Sequence, residues 1–409
     1  MGIKPIQLEI AKENLLNKIV PKTNNEKITL DKSKERISSD TITSNINLPS
    51  TANSAVDGYG FLSESLQKNS NIGFEVIGIS KAGHPLNKVI KTNQAVEIYT
   101  GAKMPEGIDT IAMHENCIRK DNIVKITSHH FKNQNMRPIG ENLKKGELVI
   151  KKGKIINSAD IGQLAASGNN LLSVYKKLKI SLISTGDELI DSSVKKLKDG
   201  EIYDANRPML LSLFDNNYLE IEDQGIVKDK RQDLANKYKE CLYDSDVVIS
   251  SGGASDGIED HTQNALKDIG ANCLVWQLAM KPGKPMAVGM INNKLIFCLP
   301  GNPVAAFVCS KLLIKPLINK LAGGADLDLF EVMLPAGFEH KKRIGRAEYL
   351  RAKIVNKEYK SEIILHGRKG AGVISSLTGA DGLVEIPIDS ENVLKGDYLK
   401  FYPFNDISL

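Results

Sequence analysis

Leu8, Ala11, Leu15 and Ile19 recur at helical spacing, which predicts an amphipathic helix over residues 6–20. Residues 21–50 are polar and rich in Asn, Thr, Ser and Lys, and read as a linker with one further helix-like piece over 30–37. From 54 to 150 the pattern changes to short β-branched runs at 74–79, 95–99 and 123–127, separated by Gly, Pro and Asn turns, as in a small β domain. Residues 153–168 then carry a turn and a helix. At Lys179 another regime begins. Apolar runs at 179–183, 247–250 and 295–299 end in Ser184-Thr185-Gly186, Ser251-Gly252-Gly253 and Pro300-Gly301-Asn302-Pro303. Helical patterns at 207–215, 233–243, 261–269 and 304–322 lie between and after them, so a doubly wound α/β domain with a largely parallel sheet is predicted. After 326, strands return without helices at 331–334, 348–355, 360–365, 383–388 and 398–402, the pattern of an all-β C-terminal module, sandwich or barrel.

Composition narrows the function. A chain of 409 residues exceeds one ordinary core and implies several domains. Its net charge of +5 is carried by scattered lysines, a distribution that fits acidic small-molecule substrates and gives no reason to expect nucleic acid. The five cysteines form no CxxC or CxxxH spacing, which predicts reduced buried thiols in a cytoplasmic protein with neither a disulfide frame nor a zinc site. Lys4, Glu9, Lys12 and Glu13 interrupt any apolar leader, and Ile6 stands where a myristoylation motif needs Ser or Thr. No stretch approaches the roughly 18 apolar residues of a membrane span, so no membrane association is expected.

The candidate chemistry gathers at three strand ends. Loops at the carboxyl ends of parallel strands line one crevice, and glycine lets backbone N–H groups approach a phosphate or other oxyanion. The turns containing Thr185, Gly252, Gly253 and Pro300-Gly301-Asn302-Pro303 should therefore meet in space. The same loops hold Asp187, Glu188, Asp256, Glu259 and Asp260, which would repel one another without a cation; Mg²⁺ on oxygen ligands fits better than zinc, since no Cys or His accompanies them. Asp204 and His261, each beside a helix start, read as caps. Lys281-Pro282-Gly283-Lys284-Pro285 offers two ammonium groups on a proline-stiffened loop, suited to an oxyanion. The segment around Asp57, with Gly58-Tyr59-Gly60 after it, is either a turn or a site, and periodicity does not decide between them.

Taken in order, these pieces resemble the molybdopterin molybdenumtransferase family, which is related to the C-terminal part of gephyrin. The matching pieces are Ser54-Ala55-Val56-Asp57-Gly58-Tyr59, Thr100-Gly101-Ala102 with Met104-Pro105-Glu106-Gly107, and Ser184-Thr185-Gly186-Asp187-Glu188-Leu189. Ile202-Tyr203-Asp204-Ala205-Asn206, Ser251-Gly252-Gly253-Ala254-Ser255 with Asp260, Lys281 to Pro285, and Leu299 to Pro303 follow. The resemblance implies four domains: an elongated linker domain (1–50 plus 145–178), a β-rich domain (51–144), the α/β catalytic domain (179–325) and the C-terminal β module (326–409). It also implies a homodimer whose active site lies between the α/β domain of one subunit and the β domain of the other. Asp57, Glu188, Asp260 and Lys284 would be catalytic, with Glu188, Asp260 and Asp229 on Mg²⁺. Thr100, Thr185, Gly252, Gly253, Ser255, Lys281, Pro300, Gly301, Asn302, Pro303 and one of Ser375 and Ser376 would bind substrate. Asn142 departs from the family's usual Asp and removes a charge there. The implied reaction inserts molybdenum from molybdate into adenylylated molybdopterin and releases AMP, in contact with the adenylyltransferase that supplies the pterin and with apoenzymes that accept the cofactor. Its rivals are the adenylylating step itself, whose enzymes share the Thr-Gly-Asp-Glu and Gly-Gly turns but lack residues 54–59 and the C-terminal module, and a gephyrin-like scaffold without catalysis.

Overall fold

A computed structural model describes residues 5–69, 71–194, 196–254, 261–325, 328–357 and 360–405. Its centre is a six-stranded sheet in the order Leu219–Val227, Leu178–Thr185, Val247–Ala254, Lys294–Pro300, Ala287–Ile291 and Asn272–Val275. The first four strands run parallel, and the last two add an antiparallel edge. Successive side chains of the central strands alternate between two buried faces. Ile180, Leu182, Val247, Ile249, Leu295 and Phe297 pack on one side with Leu210, Val304 and Leu317. Ile183, Val248, Ile296 and Cys298 pack on the other with Leu234, Tyr238 and Leu266. Helices thus cover both faces: Asn206–Leu213 and the 303–321 segment on one, Arg231–Asp244 and His261–Asp268 on the other. The expected 304–322 helix is interrupted by a π-helical stretch, Ser310–Ile314, directly before Pro316, which has no N–H to give the ladder.

The N-terminal helix, Leu8–Lys18, buries Leu8, Ala11 and Leu15 in the same core as the α/β domain. The polar stretch after it is more ordered than a linker. Asn25–Thr29 pairs antiparallel with Leu171–Tyr175, and Ile42–Thr43 with Leu148–Ile150. The helix-like piece at 30–37 is a single 3-10 turn, Leu30–Lys32, which ends before the buried Ile37 and the buried Arg36, whose guanidinium binds the Tyr175 carbonyl at 2.8 Å. Helix Ser158–Ala166 opens with a reciprocal capping box between Asn157 and Asp160.

Residues 58–126 form a second six-stranded sheet, with Gly58–Phe61 between Thr110–Met113 and Gln94–Ile98. Its core of Tyr59, Phe61, Phe74, Val76 and Val124 shares no residue with the α/β core. The C-terminal sheet curls on itself: Ala347–Lys357, Gly382–Ile386, Tyr398–Pro403 and Val332–Pro335 are hydrogen-bonded in that order. Lys360–Leu365 closes the circuit through its pairing with 347–357 and the Ala336–Ile363 bridge. The barrel also takes the short strand Met280–Lys281 from the α/β domain, in parallel with Ala347 and Glu348. Cys241, Cys298 and Cys309 are buried as expected, whereas Cys117 is half-buried and Cys273 is exposed; all five are free thiols. No helix among the described residues is long and apolar enough to cross a membrane.

Two separate cores imply two thermal transitions. Truncating Phe74, fully buried in the second sheet, should cost about 3–5 kcal/mol in that domain alone. Scanning calorimetry of Phe74→Ala should show one transition lowered and the other unmoved; a single transition that shifts as a whole would contradict this.

Candidate functional site

The carboxyl ends of the parallel strands converge as tightly as a backbone permits. Gly252 has φ +100°, and a Cβ there would lie 2.0 Å from the Thr185 carbonyl oxygen, so only glycine lets the 247–254 strand pass. At Gly253, φ +69°, a Cβ would lie 2.8 Å from Thr262 Oγ1 and 3.2 Å from Asp229 Oδ1. Thr185, Asp229, Gly253 and Thr262 therefore line one point, although they come from four segments. The Pro300 to Pro303 turn abuts it, since Gly252 Cα lies 3.8 Å from a Cβ built on Gly301. Asn206 locks the arrangement by donating to Ser251 Oγ and to the Gly301 carbonyl, both at 2.8 Å. Asp204 caps nearby as expected, accepting the Arg207 N–H at 3.2 Å, and its carboxylate also holds the Arg207 side chain at 3.0 Å.

The cluster is rich in carboxylates. Burial raises the Asp229 carboxyl above the ordinary carboxylate range and outweighs the opposing His261; the charges of Asp187 and Glu188 raise it further. Asp187 accepts the Asp229 N–H at 3.3 Å, and the Glu188 carboxylate folds back over Gly186, within 2.9 Å of where a Cβ would stand. Among the described residues, Asp229 Oδ1, Thr185 Oγ1 and Thr262 Oγ1 are buried without a hydrogen-bond partner. Orphaned oxygens beside crowded carboxylates are the donor set of a hard cation, and a divalent ion such as Mg²⁺ fits them. Among the described residues no three carboxylate, His or Cys groups are already gathered at metal-binding distance. Asp260 and Ser255, with Asp256 and Glu259, lie outside the described residues.

The basic loop is joined to the C-terminal barrel. Lys281 Nζ lies 3.0 Å from Glu348 Oε1, and His340 Nε2 shares a hydrogen bond of 2.9 Å with Glu348 Oε2. Burial opposes ionisation of Glu348, but these two bonds prevail and hold its carboxyl below the usual value. Lys281 is thus not the uncommitted charge the sequence suggests, because a carboxylate distant in the chain already takes one of its donors. Lys284 is half-buried in the same loop, and its carbonyl accepts the Leu278 and Met286 N–H groups, each at 3.0 Å. Gly283 has φ +108°, and a Cβ there would lie 2.5 Å from Cys309 Sγ. Burial pushes the Cys309 thiol up to about 12.

The barrel also reaches the third strand end. Val304 N–H, in the first turn of the helix that follows Pro303, donates to the Ala371 carbonyl at 3.0 Å, and Gly372 faces Asn302. The two candidate serines differ. Ser376 is buried, accepts from Arg351 Nε at 2.9 Å and donates to the Val373 carbonyl at 2.6 Å, so its hydroxyl is committed to the loop. Ser375 is exposed.

Asp57 and Thr100 meet in the other sheet, because antiparallel strands bring their loops together. Thr100 donates both its N–H and its hydroxyl to Asp57 Oδ1 at 2.7 Å, which holds this exposed carboxyl below its usual range. Beside them Glu97 accepts from Tyr99 at 3.0 Å and Arg119 at 2.8 Å, and His114 packs edge-on against Tyr59. Asn142 is exposed in the loop joining this sheet to the linker domain, its N–H on the Leu48 carbonyl at 2.9 Å. Sequence reasoning missed Thr262, the clamp function of Asn206, and the Glu348–His340 pair. His261 stands at the first position of helix His261–Asp268.

Three family models match consecutive stretches of the chain: the MoeA N-terminal region (domain I and II) at 6–168, a probable molybdopterin binding domain at 181–320, and the MoeA C-terminal region (domain IV) at 334–404. The molybdopterin molybdenumtransferase of Haemophilus influenzae is 33% identical and aligns over 98% of this chain and 99% of its own length. That of Staphylococcus aureus strain COL is 31% identical over 90% of this chain and 88% of its own. The molybdopterin biosynthesis MoeA protein of Pyrococcus horikoshii OT3 superposes with a TM-score of 0.84 at 26% identity, covering 98% of this chain and 100% of that one.

The Asp229 environment makes a signed prediction. A carboxyl that holds its proton more tightly folded than unfolded contributes stability below the unfolded value and loses it as pH rises through the raised folded one. Asp229→Asn should therefore melt higher than the parent in cation-free buffer, with a margin that grows between about pH 4 and 7. Added Mg²⁺ should raise the parent's melting temperature more than the variant's. Equal responses would dismiss the cation.

Proposed function

The chain belongs to the molybdopterin molybdenumtransferase family, and we propose that it inserts molybdenum from molybdate into adenylylated molybdopterin, releasing AMP. The observation that carries this reading is the convergence of Thr185, Asp229, Gly252, Gly253 and the Pro300 to Pro303 turn at one crevice. In the reaction, both dithiol sulfurs of the pterin bond to molybdenum while one oxo group leaves as water with the two thiol protons. A second water splits the phosphoanhydride into AMP and the pterin phosphate.

The Gly252 and Gly253 turn and Thr185 receive phosphate oxygens, and Lys281 and Lys284 hold molybdate as donors to its oxygens. Asp229, with Glu188 and Asp260, would hold Mg²⁺, whose charge screens the phosphoanhydride oxygens. Ser375, the exposed serine of its pair, supplies a further hydroxyl from the barrel. Asp57 and Thr100 sit on a domain with its own core, which supports their completing the crevice of a second subunit in a homodimer. The adenylyltransferase and cofactor-accepting apoenzymes are the protein partners. Five free thiols suit the reducing cytoplasm.

The test combines the purified protein with adenylylated molybdopterin, Mg²⁺ and molybdate. AMP should appear only when molybdate is present, and the product should activate a cofactor-free molybdoenzyme. Transfer of AMP from ATP to the pterin would instead assign the preceding step, and no molybdate-dependent AMP would leave a scaffold. Asp57→Ala should lower turnover by at least about a hundredfold, the scale of losing a transition-state contact, while sedimentation still shows a dimer.

A further inference from the structure

We infer that Glu348 of the C-terminal barrel is a positioning residue for Lys281, an inference that rests on the reading of Lys281 as a molybdate ligand. The two residues are held opposite each other by backbone, since Met280–Lys281 pairs in parallel register with Ala347 and Glu348, and Ala347 N–H donates to the Ala279 carbonyl at 3.0 Å. The carboxylate is the fixed partner. Glu348 is 8% exposed, and one of its oxygens is held by His340, whose side chain is itself 6% exposed. The lysine is the exposed partner, with 61% of its side chain open to solvent. A half-exposed ion pair adds little stability, and burying a carboxylate carries a penalty, so stability alone does not account for the arrangement.

Geometry supplies a different use. An ammonium has three N–H donors; one lies on Glu348 Oε1, and among the described residues two remain for an oxyanion. A long lysine stem that is already anchored does not have to be ordered anew each time an anion binds. The carboxylate tethers the ammonium, and His340 keeps the carboxylate from following Lys281 into solvent.

The test measures steady-state kinetics against molybdate, with molybdate binding followed by calorimetry as an independent readout. Glu348→Ala should raise the molybdate KM roughly three- to tenfold, the scale of ordering one rotamer-rich side chain, while kcat changes by less than about twofold. Glu348→Gln keeps an acceptor for Lys281 and should restore most of the lost affinity; if the alanine variant does not fold, this variant against the parent carries the comparison. In a Lys281→Gln background, neither change at 348 should raise KM further, because the two act as one unit. A lower KM in Glu348→Gln would overturn the inference, since the carboxylate would then be a competitor for the ammonium. So would an equal rise in KM with and without Lys281. If Lys281→Gln alone leaves both KM and molybdate binding unchanged, the assignment of Lys281 to the site fails, whatever position 348 does.

Discussion

The passage of Gly252 across the Thr185 carbonyl is the constraint on which the crevice depends. The parallel register seats Ser184 beside Ser251 and Ser251 beside Leu299, and then slips, so that Ala254 faces Pro300. The slip turns the middle strand outward at the level where its neighbours end, and a residue with φ +100° and no side chain is needed to make it. Any side chain at 252 would push the strand ends apart. Asp229, Thr262 and the Pro300 to Pro303 turn would then no longer share a point, and the Asn206 clamp would lose one of its two acceptors. The local twist of one strand thus sets the distances among groups spread over more than a hundred residues of sequence.

The modules differ in how firmly they are bound to that centre. The N-terminal helix and the barrel residues Tyr349, Leu383 and Tyr402 share the α/β core, and the barrel adds a backbone ladder through Met280–Lys281. The basic loop therefore stands where the α/β domain and the barrel are joined, with Cys309 packed beneath it and Glu348 beside it. The sheet that carries Asp57 has its own core and is connected through the linker domain, by contacts such as Leu48 with Leu143.

What could be read from the sequence follows the same physics. Runs such as 179–183, 247–250 and 295–299 are legible because central strands are buried on both faces and so are continuously apolar. The sheet's edge strands were not found: Leu219–Val227 carries Glu220, Glu222 and Asp223, and Asn272–Val275 is exposed along half its length. Asn25–Thr29 looks like linker because only alternate positions are partly covered. At the site, residue type and turn chemistry point to Gly252, Gly253 and Glu188, whereas Asp229 enters only through the family resemblance. Thr262, Asn206 and Glu348 have ordinary identities, and their roles come entirely from which distant segment they face. No local pattern encodes that a lysine at 281 will meet a carboxylate at 348.

Charge placement gives this division its chemical meaning. Asp187, Glu188 and Asp229 crowd one another at the strand ends; burial raises the Asp229 carboxyl, and the charges of Asp187 and Glu188 raise it further. Lys281 is directed to Glu348 on a different module. Had Lys281 closed directly on Asp187 or Glu188, both charges would be satisfied internally and neither would attract a ligand. With Lys281 tied to the barrel carboxylate, the proposed reading has one pole that a divalent cation would relieve and another that would offer donors to an oxyanion. The proposed reaction, which brings a metal oxyanion up to a phosphoanhydride, would draw on both poles at once.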